Sequence, residues 1–126
     1  MLRCALLAAA TVLCGQPATA QSPRNFPANA LRGEIVVSQP PEVLLNRQPA
    51  RLAPGARLRG MDNMMIMSGA AVGQRMLVHY TLDLSGQVLD VWVLTPAEQA
   101  RKPWPSSAQE AATWSFNFDS QTWTRP

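Results

Sequence analysis

Past Cys14 the chain has no cysteine at all, and in its whole length it has one histidine, one lysine and one tyrosine. These absences exclude much chemistry. Without thiols beyond residue 14 there is no cysteine nucleophile, no disulfide and no thiolate metal site in the body of the protein. Neither a G-x-S-x-G elbow, a glycine-rich phosphate loop nor an H-E-x-x-H pair occurs. One histidine, His79, and eight scattered carboxylates leave few ways to pair an acid with a base. The chain therefore reads as non-enzymatic, with no catalytic residue and no cofactor. A small hydrolase with His79 as base is the weakest alternative.

Long apolar runs are missing too. The one candidate, Cys4 to Cys14, is shorter than the roughly 20 residues that span a bilayer. It follows Arg3 and precedes Ala18-Thr19-Ala20, the order of a secretory signal peptide. Cleavage is expected after Ala20, which removes both cysteines and leaves an exported chain without a membrane span. Without Arg3 the balance is ten Lys and Arg against eight Asp and Glu, nearly all of the cations being arginine. Such a surface favours anionic envelope components over nucleic acid, which an exported protein does not meet.

Residues 21–32 hold two prolines and no periodic pattern, and are expected to form an extended or disordered leader. Residues 33–126 then form one domain. Short apolar runs, GEIVVS, EVLL, PARL and ARLR, alternate with breaks at Pro40-Pro41, Asn46-Arg47-Gln48, Pro54-Gly55 and Gly60 to Asn63. This spacing predicts short antiparallel strands, with Pro54-Gly55 as a type II turn placing Leu52 and Leu58 on neighbouring strands.

Asp83-Leu84-Ser85-Gly86 predicts a type I turn with a glycine bulge, joining two strands in which Leu82 faces Val88, Tyr80 faces Asp90 and His79 faces Val91. With no carboxylate opposite, His79 reads as structural. Thr95-Pro96-Ala97-Glu98 and Ser107 to Glu110 are capping boxes that open two short helices, the first ending near Lys102, and Phe116 and Phe118 alternate as on an edge strand. The fold class is mainly β (α+β), an antiparallel sheet or small open barrel with one or two short C-terminal helices.

Two sets of side chains suggest binding. Met61, Met64, Met65 and Met67 put four thioethers into seven residues, and Met64, Met65 and Met67 with His79 form the alternative Cu(I) or Ag(I) site. The competing role for methionine is adaptable packing. Of the four tryptophans, Trp92 and Trp114 read as core. Trp104 and Trp123, flanked by Pro, Ser, Thr and Arg, read as exposed contacts.

The segments VLLNRQPARLAPGARLRG and GQRMLVHYTLDLSGQVLDVWVLTPAE resemble a group of small exported proteins of Gram-negative bacteria with no assigned function, which implies a periplasmic location. VHYTLDLSGQVLDVWVL with AATWSF, within 77–118, is similar to TonB-type C-terminal domains, and implies capture of a peptide along a sheet edge. The functional expectation is an envelope binding module whose partner, a protein or polymer, meets the aromatic tail and an open edge.

Overall fold

The computed structural model describes residues 24–126; the expected signal peptide lies outside the described residues. Strand β1 (Leu31–Gln39) buries every second residue, with Leu31, Ile35 and Val37 inward, as a strand with one face on a core must. It pairs with β2 (Glu42–Leu45), which turns through Asn46 and Arg47 into β3 (Gln48–Arg59). Both turn residues have positive φ, 52° and 66°, which matches the twist of a two-residue hairpin loop.

The expected turn at Pro54-Gly55 is not formed. Gly55 does take a positive φ of 78°, but inside a continuous β3. Between the pairs Leu52–Val88 and Arg57–Asp90, β3 advances five residues while its neighbour advances two. The glycine therefore serves a wide bulge that bends one long strand. The first half of β3 pairs antiparallel with β2, and the second pairs parallel with β5 (Val88–Val93).

A 3-10 turn at Ser68–Ala71 leads to β4 (Arg75–Leu82), which pairs antiparallel with both β5 and β1. The order β1-β2-β3-β5-β4 closes on itself as a barrel. The expectation of a purely antiparallel, open arrangement is thus corrected: the β3–β5 pair is parallel, and closure leaves the barrel no free edge among the described residues.

The turn at Asp83 forms as expected. Asp83 Oδ1 accepts from the amides of Ser85 and Gln87, and Gly86 has φ 81°. Leu82 faces Val88 as anticipated, yet Tyr80 faces Val91 and His79 faces Trp92. Leu89 and Asp90 together oppose Thr81, whose hydroxyl accepts from the Asp90 amide at 3.2 Å. This bulge shifts the register by one residue. It has a clear cause: unbulged, the strand would have turned Asp90 into the core, whereas the bulge buries Val88, Val91 and Val93 and leaves Asp90 beside Arg57 and Arg59.

Helix α1 (Pro96–Gln99) has the full capping box: Thr95 Oγ1 accepts from Glu98 N, and Glu98 Oε1 accepts from Thr95 N. It lasts one turn and stops short of Lys102. Helix α2 (Ala108–Thr113) is capped by Ser107, while the Glu110 carboxylate turns to Ser106 instead. The tail forms a separate hairpin of β6 (Ser115–Asn117) and β7 (Thr122–Thr124). No helix among the described residues is long and apolar enough to cross a membrane.

Two apolar cores result. One fills the barrel around Ile35, Val78 and Val91. The second lies outside it and joins Phe26, Ala30, Leu94, Trp104 and Trp123. The segment before β1 is irregular, with a turn closed by the Ala30 amide on the Pro27 carbonyl, and it is held in place: Phe26 is fully buried and Arg24 is tied to α1.

Candidate functional site

His79 lies on the outer face of β4, under the second core. It is fully buried, stacked on Trp104 and met edge-on by Phe26. Arg32, opposite it on β1, directs Nε and Nη2 at the imidazole Nε2 at 3.2 and 3.1 Å. A guanidinium only donates, so Nε2 is the acceptor and the proton sits on Nδ1, which has no partner among the described residues. The same Arg32 donates to the carbonyls of Glu98, Gln99 and Arg101, and so caps the end of α1.

Burial, together with the charges of Arg32, Arg24 and Arg101, pushes the His79 imidazole down to about 2. It is neutral and sealed from solvent, and no carboxylate hydrogen-bonds to it among the described residues. A general base needs a route to a substrate proton, which this geometry does not provide.

Next to this polar core a cleft of about 700 Å³ opens between the end of β3, the following turn and α1. Its wall contains Arg24, Arg59, Arg101, Glu98, Trp92 and Met61. Arg24 is fully committed: Nε donates to Glu98 Oε2 at 2.9 Å, Nη1 to the Gly60 carbonyl, and Nη2 to the Val93 carbonyl and Glu98 Oε1. Burial alone would raise the Glu98 carboxyl, but hydrogen bonds from Arg24 and Thr95 and the Arg24 charge outweigh it and hold the group below its ordinary range.

Arg59 stands over the Trp92 ring and lies 3.6 Å from Asp90, a carboxylate it shares with Arg57. Arg101 differs from both. Its Nη1 is buried with no acceptor among the described residues. The cleft gathers three guanidinium groups against two carboxylates, Glu98, which is paired with Arg24, and Asp62, and this excess of positive charge suits an anion.

The structure separates the residues expected to form a metal site. Met61 lines this cleft, Met65 and Met67 line an apolar groove with Leu58 and Ile66, and Met64 projects from the loop between. His79 is in the core with Nε2 taken by Arg32. No three His, Cys, Asp or Glu side chains are grouped to hold a metal among the described residues.

Trp104 and Trp123, expected as exposed contacts, are 6% and 5% exposed. They are corrected to core. The chain around them is polar, but Trp104 donates to the Ala30 carbonyl at 2.9 Å and Trp123 lies against Phe116, so the N-terminal segment and the tail hairpin bury them together. The expected core residues Trp92 and Trp114 are the partly exposed ones.

The residues that build the cleft, Arg24, Arg59, Glu98 and Arg101, were not singled out as a site from sequence. Two signals were present: the arginine bias, and the capping glutamate that also serves as a counter-ion. No family model, curated protein or solved structure matches this chain.

Proposed function

We propose that this protein is an exported, non-enzymatic binding module of the cell envelope, which engages an envelope protein or polymer through the cleft between β3 and α1. One observation carries this reading: three arginines and Trp92 converge on a cavity of about 700 Å³, within the usual size range of ligand sites. The contact lies at the barrel end and not at the aromatic tail, because Trp104 and Trp123 are buried and the barrel has no free edge among the described residues.

The scaffold adds support by analogy. The order β1-β2-β3-β5-β4 with a parallel β3–β5 pair is also that of OB-type Greek-key barrels, which are widely used for binding. Analogy of fold alone assigns no ligand. The soft-metal reading has less support, since its candidate ligands are divided between loop and core.

The test is site-specific photo-crosslinking in the native envelope. A photoreactive residue at Ala97, on the exposed face of α1 lining the cleft, is expected to capture one reproducible species. The same residue at Leu84, fully exposed on the β4–β5 turn, is the control. Equal capture from both positions, or none from Ala97, removes the proposal.

A further inference from the structure

We infer that the group entering the cleft is an oxyanion, a carboxylate or a phosphate monoester, and that Arg101 is its seat. The inference rests on the cleft being the binding site and adds the chemistry of what it holds. Its first support is an incomplete hydrogen-bond account. A buried guanidinium nitrogen without an acceptor is uncommon in folded proteins, because each donor removed from water needs a replacement partner. Arg101 Nη1 is such an atom; it is itself closed off from solvent, but its side chain lines the open cavity, and a rotation of the guanidinium presents the donor to the cleft.

Most of the nearby acceptors are already engaged, Asp62 Oδ2 being the exception among the cleft's carboxylate oxygens. Glu98 holds both oxygens to Arg24, and one also accepts from the Thr95 amide. Asp62 Oδ1 accepts from the Met64 amide, and Asp90 serves Arg57 and Arg59. The carbonyls at the end of α1 are capped by Arg32. The protein thus assembles Arg24, Arg32, Arg59 and Arg101 around one end of the barrel and pairs only part of that charge.

The positive field is felt by a neighbour as well: His79 is depressed by burial first, and then by Arg32, Arg24 and Arg101 together. A cationic ligand would meet repulsion here. A neutral one could accept a hydrogen bond but would leave the guanidinium charge without a counter-ion. A planar guanidinium matches the paired oxygens of a carboxylate or phosphate. Trp92, Met61 and Ala97 add an apolar wall against which the body carrying that oxyanion can lie.

The experiment uses matched small probes on the full mature chain. Benzoate and phenyl phosphate test the two oxyanions on one apolar body, with benzyl alcohol and benzylamine as neutral and cationic counterparts. Binding is followed by tryptophan fluorescence and calorimetry. At least one oxyanion is expected to bind saturably, with the alcohol and amine silent, and the tighter of the two identifies the source as carboxylate or phosphate.

Arg101→Gln should weaken that binding about tenfold or more, the loss typical of one charged hydrogen bond. Its backbone carbonyl, which accepts from Arg32, is kept, and unchanged far-UV circular dichroism with an unchanged denaturation midpoint verifies the fold. Arg59→Gln provides a second variant with an expected loss of the same sign. Arg75→Gln, an exposed residue on β4 that does not line the cleft, should bind like the parent.

Saturable binding that Arg101→Gln and Arg59→Gln leave unchanged overturns the inference. So does binding of the alcohol or amine as tightly as the oxyanions, or no saturable binding by either oxyanion. If Ala97 still captures its partner by crosslinking in any of these cases, the cleft remains the binding site and only its assigned chemistry fails.

Discussion

The imidazole of His79 lies 4.1 Å from the Trp104 indole, tilted by 23°, with Arg32 donating to its Nε2. The hydrogen bonds from Arg32 require the neutral ring, because a protonated Nε2 cannot accept. In the unfolded chain the ring takes up a proton near pH 6.5, whereas in the folded chain this is delayed to about 2. The unfolded state therefore binds more protons between these values, and stability falls as pH drops below about 6.5. Urea denaturation is expected to give about 2 kcal/mol less stability at pH 5 than well above pH 7, from one proton at about 1.4 kcal/mol per unit. Glu98, whose carboxyl is held down, adds a loss of the same sign only at lower pH. His79→Gln should flatten the slope between pH 5 and 7; an equal slope in the variant refutes the assignment.

The two buried indoles differ in their polar ends. Trp104 Nε1 donates to the Ala30 carbonyl, while Trp123 Nε1 has no acceptor among the described residues. Replacement of either by Ala should cost about 3–5 kcal/mol. Replacement by Phe separates them: Trp104→Phe strands a carbonyl and should cost more than Trp123→Phe, which discards an unsatisfied donor. Chemical denaturation gives the comparison, and the reverse order would contradict these positions.

Arg24 and Glu98 form a mostly buried ion pair that ties the N-terminal segment to α1. Arg24→Met leaves a buried carboxylate without its cation and should cost about 3–5 kcal/mol. The double variant Arg24→Met, Glu98→Gln should lose less than the sum of the single variants. Additive losses in a denaturant series would mean that the pair is not coupled.

Gly33 is a position of close approach. A β-carbon there would lie 2.8 Å from Asn46 Oδ1 and 3.0 Å from Tyr80 Cε1, and Tyr80 is fixed in the barrel core. Gly33→Ala should cost about 1–3 kcal/mol by overpacking. Gly69→Ala, where nothing lies within 4 Å and φ is ordinary, should be close to neutral in the same thermal-melt comparison.

Features decided within a few residues were legible in the sequence. The Asn46–Arg47 break, the Asp83 turn, the capping box at Thr95 and the Ser107 cap follow from side chains acting on their own backbone or immediate surroundings. Features decided by distant partners were not. Whether Pro54-Gly55 turns or bulges depends on β5 lying parallel to β3, and the slip at Asp90 answers a core that local pattern does not contain. The burial of Trp104 and Trp123 depends on Phe26 and Ala30, at least 74 residues upstream. The cleft was hidden for the same reason, since Arg24, Arg59 and Arg101 come from three separate parts of the chain.

The Phe26 amide donates to Gln121 Oε1 at 2.8 Å, across 95 positions. The barrel itself closes by joining β1 to β4 and β3 to β5, each across a long stretch of chain. Such non-local pairing slows folding, because loop entropy is lost before contacts repay it. It also sets an order in time. A chain emerging N-terminus first cannot give the Phe26 amide its acceptor or complete the outer core until Gln121 and Trp123 have appeared.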